Sequence, residues 1–370
     1  MRSKEIKSVY PIRSSRATKR SLSLALLCVV ALVPASCERL QQRMIQRGAD
    51  TAAQGDRQDW LSDGALHVVL CGTGSPLPDL ERAGPCVAVI AGERLLLVDV
   101  GLGSWENVQL WRLPREKLAG VLLTHFHSDH IGELGEVVMQ SWVAGRRDPL
   151  PVYGPPGVAR VVSGFQRAYG LDTSYRIAHH GEEALPPAGA RSRAHSLEFG
   201  EDGSVLVFDE GGLRVTAIRV DHRPVDPACA YRFEYAGRTA VVSGDTVRST
   251  NLIRHARDVD LLVHDVLAAH VIESLGGFLS ERGAERLARL TGDIVEYHAS
   301  PADAAAVGRE AGARMVVFTH MVPPVPSMLA SRIFLHGIED TSSPQIVLGR
   351  DGMHFTMPPG STEILSEDLD

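Results

Sequence analysis

Short apolar, β-branched runs recur along the chain and are separated by polar or glycine-rich turns. His67–Cys71, Cys86–Ile90, Arg94–Val98 and Leu118–Leu123 form a first group of predicted strands. A second group covers Ser204–Phe208, Leu213–Val220, Ala230–Tyr235, Arg238–Val242, Leu261–His264, Met315–Thr319 and Gln345–Leu348. Helices are expected to begin near Asp129, Pro156 and Ser300, each at or beside a capping residue or a proline suited to a first turn. Two β-rich halves, each with its own helices, imply two sheets packed face to face with helices outside. The expected fold class is therefore α/β, a four-layer αββα sandwich forming one domain over residues 64–360.

The 370-residue chain is large enough for a full core, and its net charge of −7 offers no global attraction to nucleic acid or anionic membrane. Basic residues from Arg2 to Arg20 precede an uncharged apolar stretch, Leu22–Val33, which is shorter than the ~20 residues of a membrane span. Residues 1–37 thus read as a secretory signal, and an exported, periplasmic or lipid-anchored envelope protein is expected. Lipidation of Cys37 stays open, because Pro34 departs from the aliphatic residue of a lipoprotein box. Residues 38–63 read as a linker and 361–370 as a tail. Cys71, Cys86 and Cys229 show no paired spacing, so they are expected to be buried small hydrophobes rather than bridged.

Candidate chemistry is concentrated after the run Leu118–Thr124, where His125, His127, Asp129 and His130 crowd into six positions. Imidazoles and carboxylates are favoured zinc donors, and a loop at a strand end can aim several at one point. His125 and His127 lie two apart, whereas Asp129 and His130 fall on an incoming helical turn; two neighbouring metal sites follow. Two ions ~3.5–4 Å apart could polarise an ester oxygen and share a hydroxide. Further ligands are expected at His222, Asp245 and His320, each after an apolar β-like run, with Asp245 the natural bridge.

With these residues in place, the chain resembles the metallo-β-lactamase superfamily, specifically its ribonuclease Z and arylsulfatase-like branch. Supporting motifs are Gly72–Pro76, Asp99–Gly101, Val152–Gly157, Ser243–Thr246, His298–Pro301 and Thr319–His320. The resemblance implies two zinc ions per chain, with Mn2+ or Fe2+ compatible. It assigns His125, His127 and His222 to one, and Asp129, His130 and His320 to the other, with Asp245 between them. It also implies that His298 contacts the scissile anion or assists the leaving group, that Asp129 belongs to the catalytic set, and that Asp265 supports His298 or a ligand histidine. Asp99 is expected beneath the metal loop as a structural acceptor. Gly164–Glu183 resembles an insertion that would cover the pocket, bringing Tyr169, Tyr175 and His180 near a leaving group.

The expected function is hydrolysis of small anionic sulfate or phosphate esters, aryl-bearing, by the metal-bridging hydroxide. The alternatives are a ribonuclease Z-like tRNA 3' endonuclease and a lactonase or β-lactamase-type hydrolase. Export and the lack of a basic arm weigh against the first, and hence against nucleic acid as a partner; the absence of cysteine at the metal positions weighs against a β-lactamase. A non-catalytic envelope metal protein is a third class. Membrane contact is expected only through a lipid anchor, and a homodimer is compatible with all of these.

Overall fold

The computed structural model describes residues 40–46, 56–338 and 344–369. The signal segment and Cys37 lie outside the described residues. Residues 40–46 are helical and exposed, and belong to a unit that ends at Gly55. Among the described residues no helix is long and apolar enough to cross a membrane.

Among the described residues from Asp56 onward, fifteen strands form two sheets. In chain order they are β1 (Leu66–Gly72), β2 (Cys86–Ala91), β3 (Arg94–Val98), β4 (Leu118–Leu122), β5 (Leu150–Gly154), β6 (Ser192–Ser196), β7 (Ser204–Glu210), β8 (Leu213–His222), β9 (Val225–Tyr235), β10 (Arg238–Val242), β11 (Leu261–Leu267), β12 (Met315–Val322), β13 (Gln345–Leu348), β14 (Met353–Met357) and β15 (Leu365–Asp368). The first sheet runs β15-β14-β1-β2-β3-β4-β5-β6 and the second β13-β12-β11-β10-β9-β8-β7. Strands β3 to β6 are parallel to one another, as are β10 to β13. Their connections place helices on the outer faces.

Helices α1 (Ser104–Leu110), α2 (Ser128–Ile131), α3 (Leu134–Val143), α4 (Val158–Ala168) and α5 (Gly170–His180) follow strands of the first sheet. Those following strands of the second are α6 (Thr250–His255), α7 (Ala269–Glu281), α8 (Glu285–Val295), α9 (Pro301–Ala311) and α10 (Met328–Phe334). The sheets bury a shared apolar layer in which Val89, Leu96 and Leu122 meet Val215, Phe233 and Val317. Outside it, Trp105, Val137 and Val162 cover the first sheet, and Leu252, Ala304 and Phe334 the second. The expected αββα sandwich is therefore present. Helix α9 starts as its sequence dictates: Ser300 accepts from Asp303 N, Pro301 occupies the first turn and Gly312 closes the helix in the left-handed region.

Three expectations need correction. The last part of the presumed linker is packed, with Trp60 and Leu61 buried against the first sheet. The presumed tail contains β15, which pairs antiparallel with β14. Cys71 and Cys86 form a disulfide between β1 and β2; spacing alone missed it because the bridge depends on two strands becoming neighbours. Cys229 is the buried free thiol expected. Strands β5, β6 and β14 were also missed, being short and interrupted by Pro151 in β5 and by polar residues in the other two.

A hydrogen-bonded row through two buried imidazoles joins the segment before β1 to β15. His67 Nδ1 meets His354 Nε2 at 3.0 Å, His67 Nε2 meets Asp63 at 3.1 Å and His354 Nδ1 meets Glu367 at 3.0 Å. Trp60 stacks on both imidazoles. Burial is the main reason that the His354 imidazole is depressed to about 4, against the opposing pull of Glu367. Folded His354 therefore stays neutral where the unfolded chain takes up a proton. Its contribution is fully present above pH ~6.5 and is lost as pH falls toward the folded value, a difference on the order of 3 kcal/mol. Urea unfolding of the wild type and of His354→Gln at about pH 7.5 and about pH 4.5 should show a markedly smaller pH-dependent loss in the variant.

Candidate metal centre

Parallel strands end on the same rim of each sheet, and the candidate residues occupy those ends. His125 and His127 follow β4, Asp129 and His130 lie on α2, and His222 closes β8. Asp245 follows β10, and His320 lies within β12. The two rims are joined directly beneath the site: Cys229 N donates to Thr124 O, and the Tyr231 hydroxyl donates to Leu123 O. Gly244, at φ +60°, is required because a Cβ there would sit 2.7 Å from Thr124 Cβ.

His320 depends on a bulge. Asp265 of β11 pairs with Thr319, and the next residue, Val266, pairs with Met321, leaving His320 as the extra residue. Its φ of 47° lies in the left-handed region, and the bulge turns the imidazole out of the ladder into the site. A period-two reading of β12 does not contain this information.

The side chains converge in two sets. In the first, His125 Nε2 lies 2.9 Å from His127 Nδ1, and His222 Nε2 lies 3.5 Å from the same atom. In the second, His320 Nε2 lies 3.2 Å from Asp129 Oδ2, and His130 Nε2 is 3.5 Å from that oxygen. Asp245 Oδ2 stands between the sets, 3.7 Å from His125, 3.8 Å from His222, 3.3 Å from His130 and 3.5 Å from His320.

Outer hydrogen bonds fix which imidazole nitrogens turn inward. His125 Nδ1 meets Thr124 Oγ1 at 3.0 Å, His222 Nδ1 meets Tyr297 O at 2.9 Å, and His130 Nδ1 meets Asp99 Oδ2 at 2.8 Å. Asp99 also accepts from Thr124 N and Thr124 Oγ1, so its expected place beneath the loop is what the structure shows. With the outer nitrogens engaged, lone pairs point at one another across the site. His130 Nε2, which faces Asp245 Oδ2 across the site, is buried without a hydrogen-bond partner. A nitrogen-and-carboxylate set with such an orphaned inward atom fits divalent cations such as zinc.

The electrostatics agree. Burial pulls the His125, His127 and His222 imidazoles below their ordinary value, keeping them neutral donors. Burial alone would raise Asp245, but His130 and His320 hold its carboxyl well below the usual range. Burial alone would likewise depress His130, yet Asp245 and Asp99 push it well above normal. This carboxylate therefore demands positive charge beside it.

His298 lies at the start of the loop into α9, its Nδ1 2.9 Å from Asp265 Oδ2, and its ring packs against His222 and His320. The His264–Asp265 pair thus reaches His298, as expected. A cavity of about 300 Å3 opens over His127, Asp129, Asp245, His298 and His320. Its walls come from Pro76, Leu77, Leu267, Val322 and helix α8, not from residues 164–183. In that presumed lid, Tyr169 packs over Gly135, and Tyr175 is exposed. The wall leucines were missed because a helical apolar stripe reads first as core; Tyr297, whose carbonyl holds His222, was signalled only by adjoining His298.

The model of the β-lactamase superfamily domain matches residues 94–321. Ribonuclease Z of Mycobacterium bovis (strain BCG / Pasteur 1173P2) is 39% identical over 263 residues, covering 70% of this chain and 87% of the relative. Ribonuclease Z of Mycolicibacterium gilvum is 39% identical over 261 residues, covering 70% and 85%. Among solved structures, the short form of human tRNase Z superposes with a TM-score of 0.56 at 20% identity, covering 79% of this chain and 99% of that one. The metallo-β-lactamase fold protein YhfI from Bacillus subtilis gives 0.55 at 17%, with the same coverage. At such identities the two structures speak for the fold alone.

Because Asp99 fixes the His130 tautomer, Asp99→Asn should weaken zinc affinity by roughly 10- to 100-fold. Competition with a chelator-buffered zinc series measures this, and His180→Ala, outside the cavity lining, should leave the affinity unchanged.

Proposed function

We propose that this chain, which belongs to the β-lactamase superfamily and is a metal-dependent hydrolase of phosphoester bonds, is a phosphodiesterase of the ribonuclease Z type. The observation that carries the proposal is the convergence of His125, His127, His222, Asp129, His130 and His320 around Asp245, beside an Asp265-anchored His298. These seven side chains would hold the metal ions. Bound there, divalent ions would supply Lewis acidity toward the phosphoryl oxygens and activate water at neutral pH.

The chain's own residues would do the rest. Asp265 Oδ2 accepts from His298 Nδ1, which fixes the ring and reserves Nε2 for the cavity side. From there His298 would deliver a proton to the departing oxygen. Asp129, which lines the cavity, would orient the attacking side of the phosphate together with its ligand role.

RNA is the substrate that the relatives' names favour, and it replaces the expectation that nucleic acid is not a partner. The sulfate half of the expected activity draws no support from relatives named ribonuclease Z. A small phosphodiester is the second reading, favoured by the size of the cavity, about 300 Å3. Export stays part of the proposal: the Cys71–Cys86 disulfide is of a kind that persists in oxidising compartments.

Zinc-loaded protein should cleave bis(4-nitrophenyl) phosphate, and a tRNA precursor with a 3' trailer tests the RNA reading directly. Turnover of 4-nitrophenyl sulfate with neither phosphodiester cut would overturn the proposal. His298→Ala should retain its metal while losing roughly 10²- to 10⁴-fold in kcat on substrates with poorly departing alcohols. The loss should be smaller for 4-nitrophenolate, which departs without a proton.

A further inference from the structure

The cavity over the metal centre has a charged floor and a wall of a different kind. Leu287, Leu290 and Ile294 recur at i, i+3 and i+7 on α8, so they share one helical face, and all three line the cavity with Leu77. Arg286, Arg289 and Asp293 fall at other positions of the same helix. An amphipathic helix normally turns such a stripe into the protein core. Here the root of the hairpin is anchored by Ile272, Leu267 and Val322, packed with Ile294 and Val295. Farther along, Leu287 and Leu290 remain 48% and 47% exposed. Gly276 lets the hairpin close tightly, since a Cβ there would lie 2.9 Å from Thr291 Oγ1.

No lysine or arginine is among the residues lining this cavity. A wall that tracked a nucleic-acid backbone would carry such groups. Apolar surface beside a phosphoryl-binding floor instead suits a group that gains by leaving water.

We infer that this wall is a specificity pocket for a hydrocarbon ester arm, so that the preferred substrates are amphiphilic phosphodiesters whose alkyl chain lies along Leu77, Leu287, Leu290 and Ile294. The inference rests on the small-phosphodiester form of the phosphodiesterase reading, and names its substrate class in place of RNA. The phosphate sits over the charged floor, and the chain runs outward along α8.

The test uses 4-nitrophenyl alkyl phosphodiesters from methyl to octyl with the zinc-loaded full chain, alongside calorimetric binding of the matching alkylphosphonates. For the first buried methylenes, kcat/KM and phosphonate affinity should each rise by up to about fourfold per added carbon. The double variant Leu287→Ser/Leu290→Ser should flatten both slopes. The slope is compared within each protein, so a change in basal turnover does not obscure it. Phosphonate affinity independent of chain length overturns the inference, whether or not the esters are hydrolysed. A steep phosphonate slope without turnover of any phosphodiester supports the pocket and overturns the phosphodiesterase reading instead.

Discussion

Asp245 is a carboxylate taken out of water at the meeting point of two sheets, and the site is built around meeting its need for positive charge. An isolated buried carboxylate is costly, and a group in that position either takes a proton or gathers cations. Here the surroundings hold its pKa well below the usual range. Three of the imidazoles around it are depressed by burial, and two are pushed up by neighbouring carboxylates. The first group suits neutral donation, and the second marks where positive charge is stabilised. Divalent ions would satisfy both demands at once.

Holding that arrangement requires the two sheets to keep a fixed relation. Thr124 is the junction: its carbonyl accepts from Cys229 of the second sheet, while its amide and hydroxyl are held by Asp99 of the first. The same Asp99 orients His130. A side chain that contributes no donor atom to the site therefore couples the packing of the sandwich to the direction of an imidazole. The Tyr231 hydroxyl on Leu123 O adds a second clamp one residue away. Preorganisation of this kind is what lets a site formed from distant segments act as one unit.

The chemistry of the floor and the character of the wall answer different questions. The floor carries the reaction class, which this chain shares with relatives named ribonuclease Z. The wall comes largely from helix α8, and its apolar face distinguishes one ester from another. Reaction and specificity thus rest on separate elements, the first on strand ends and the second on α8.

The chain by itself determined much of this. Alternating and continuous apolar runs identified eleven strands at their correct places, because burial on one or both faces leaves a period that survives in one dimension. The dense run from His125 to His130 announced a metal site for a similar reason: its donors are local in sequence. His222, Asp245 and His320 were reachable because each follows an apolar run ending at the same rim. What tertiary structure alone decided were relations between segments. The bulge that turns His320 inward, the Cys71–Cys86 bridge, the placement of Trp60 over His67 and His354, and the turning of Leu287 and Leu290 toward a cavity instead of a core all depend on which strands and helices become neighbours. A hydrophobic pattern states that a face will be covered, but not by what, and that choice is made only when the sandwich closes.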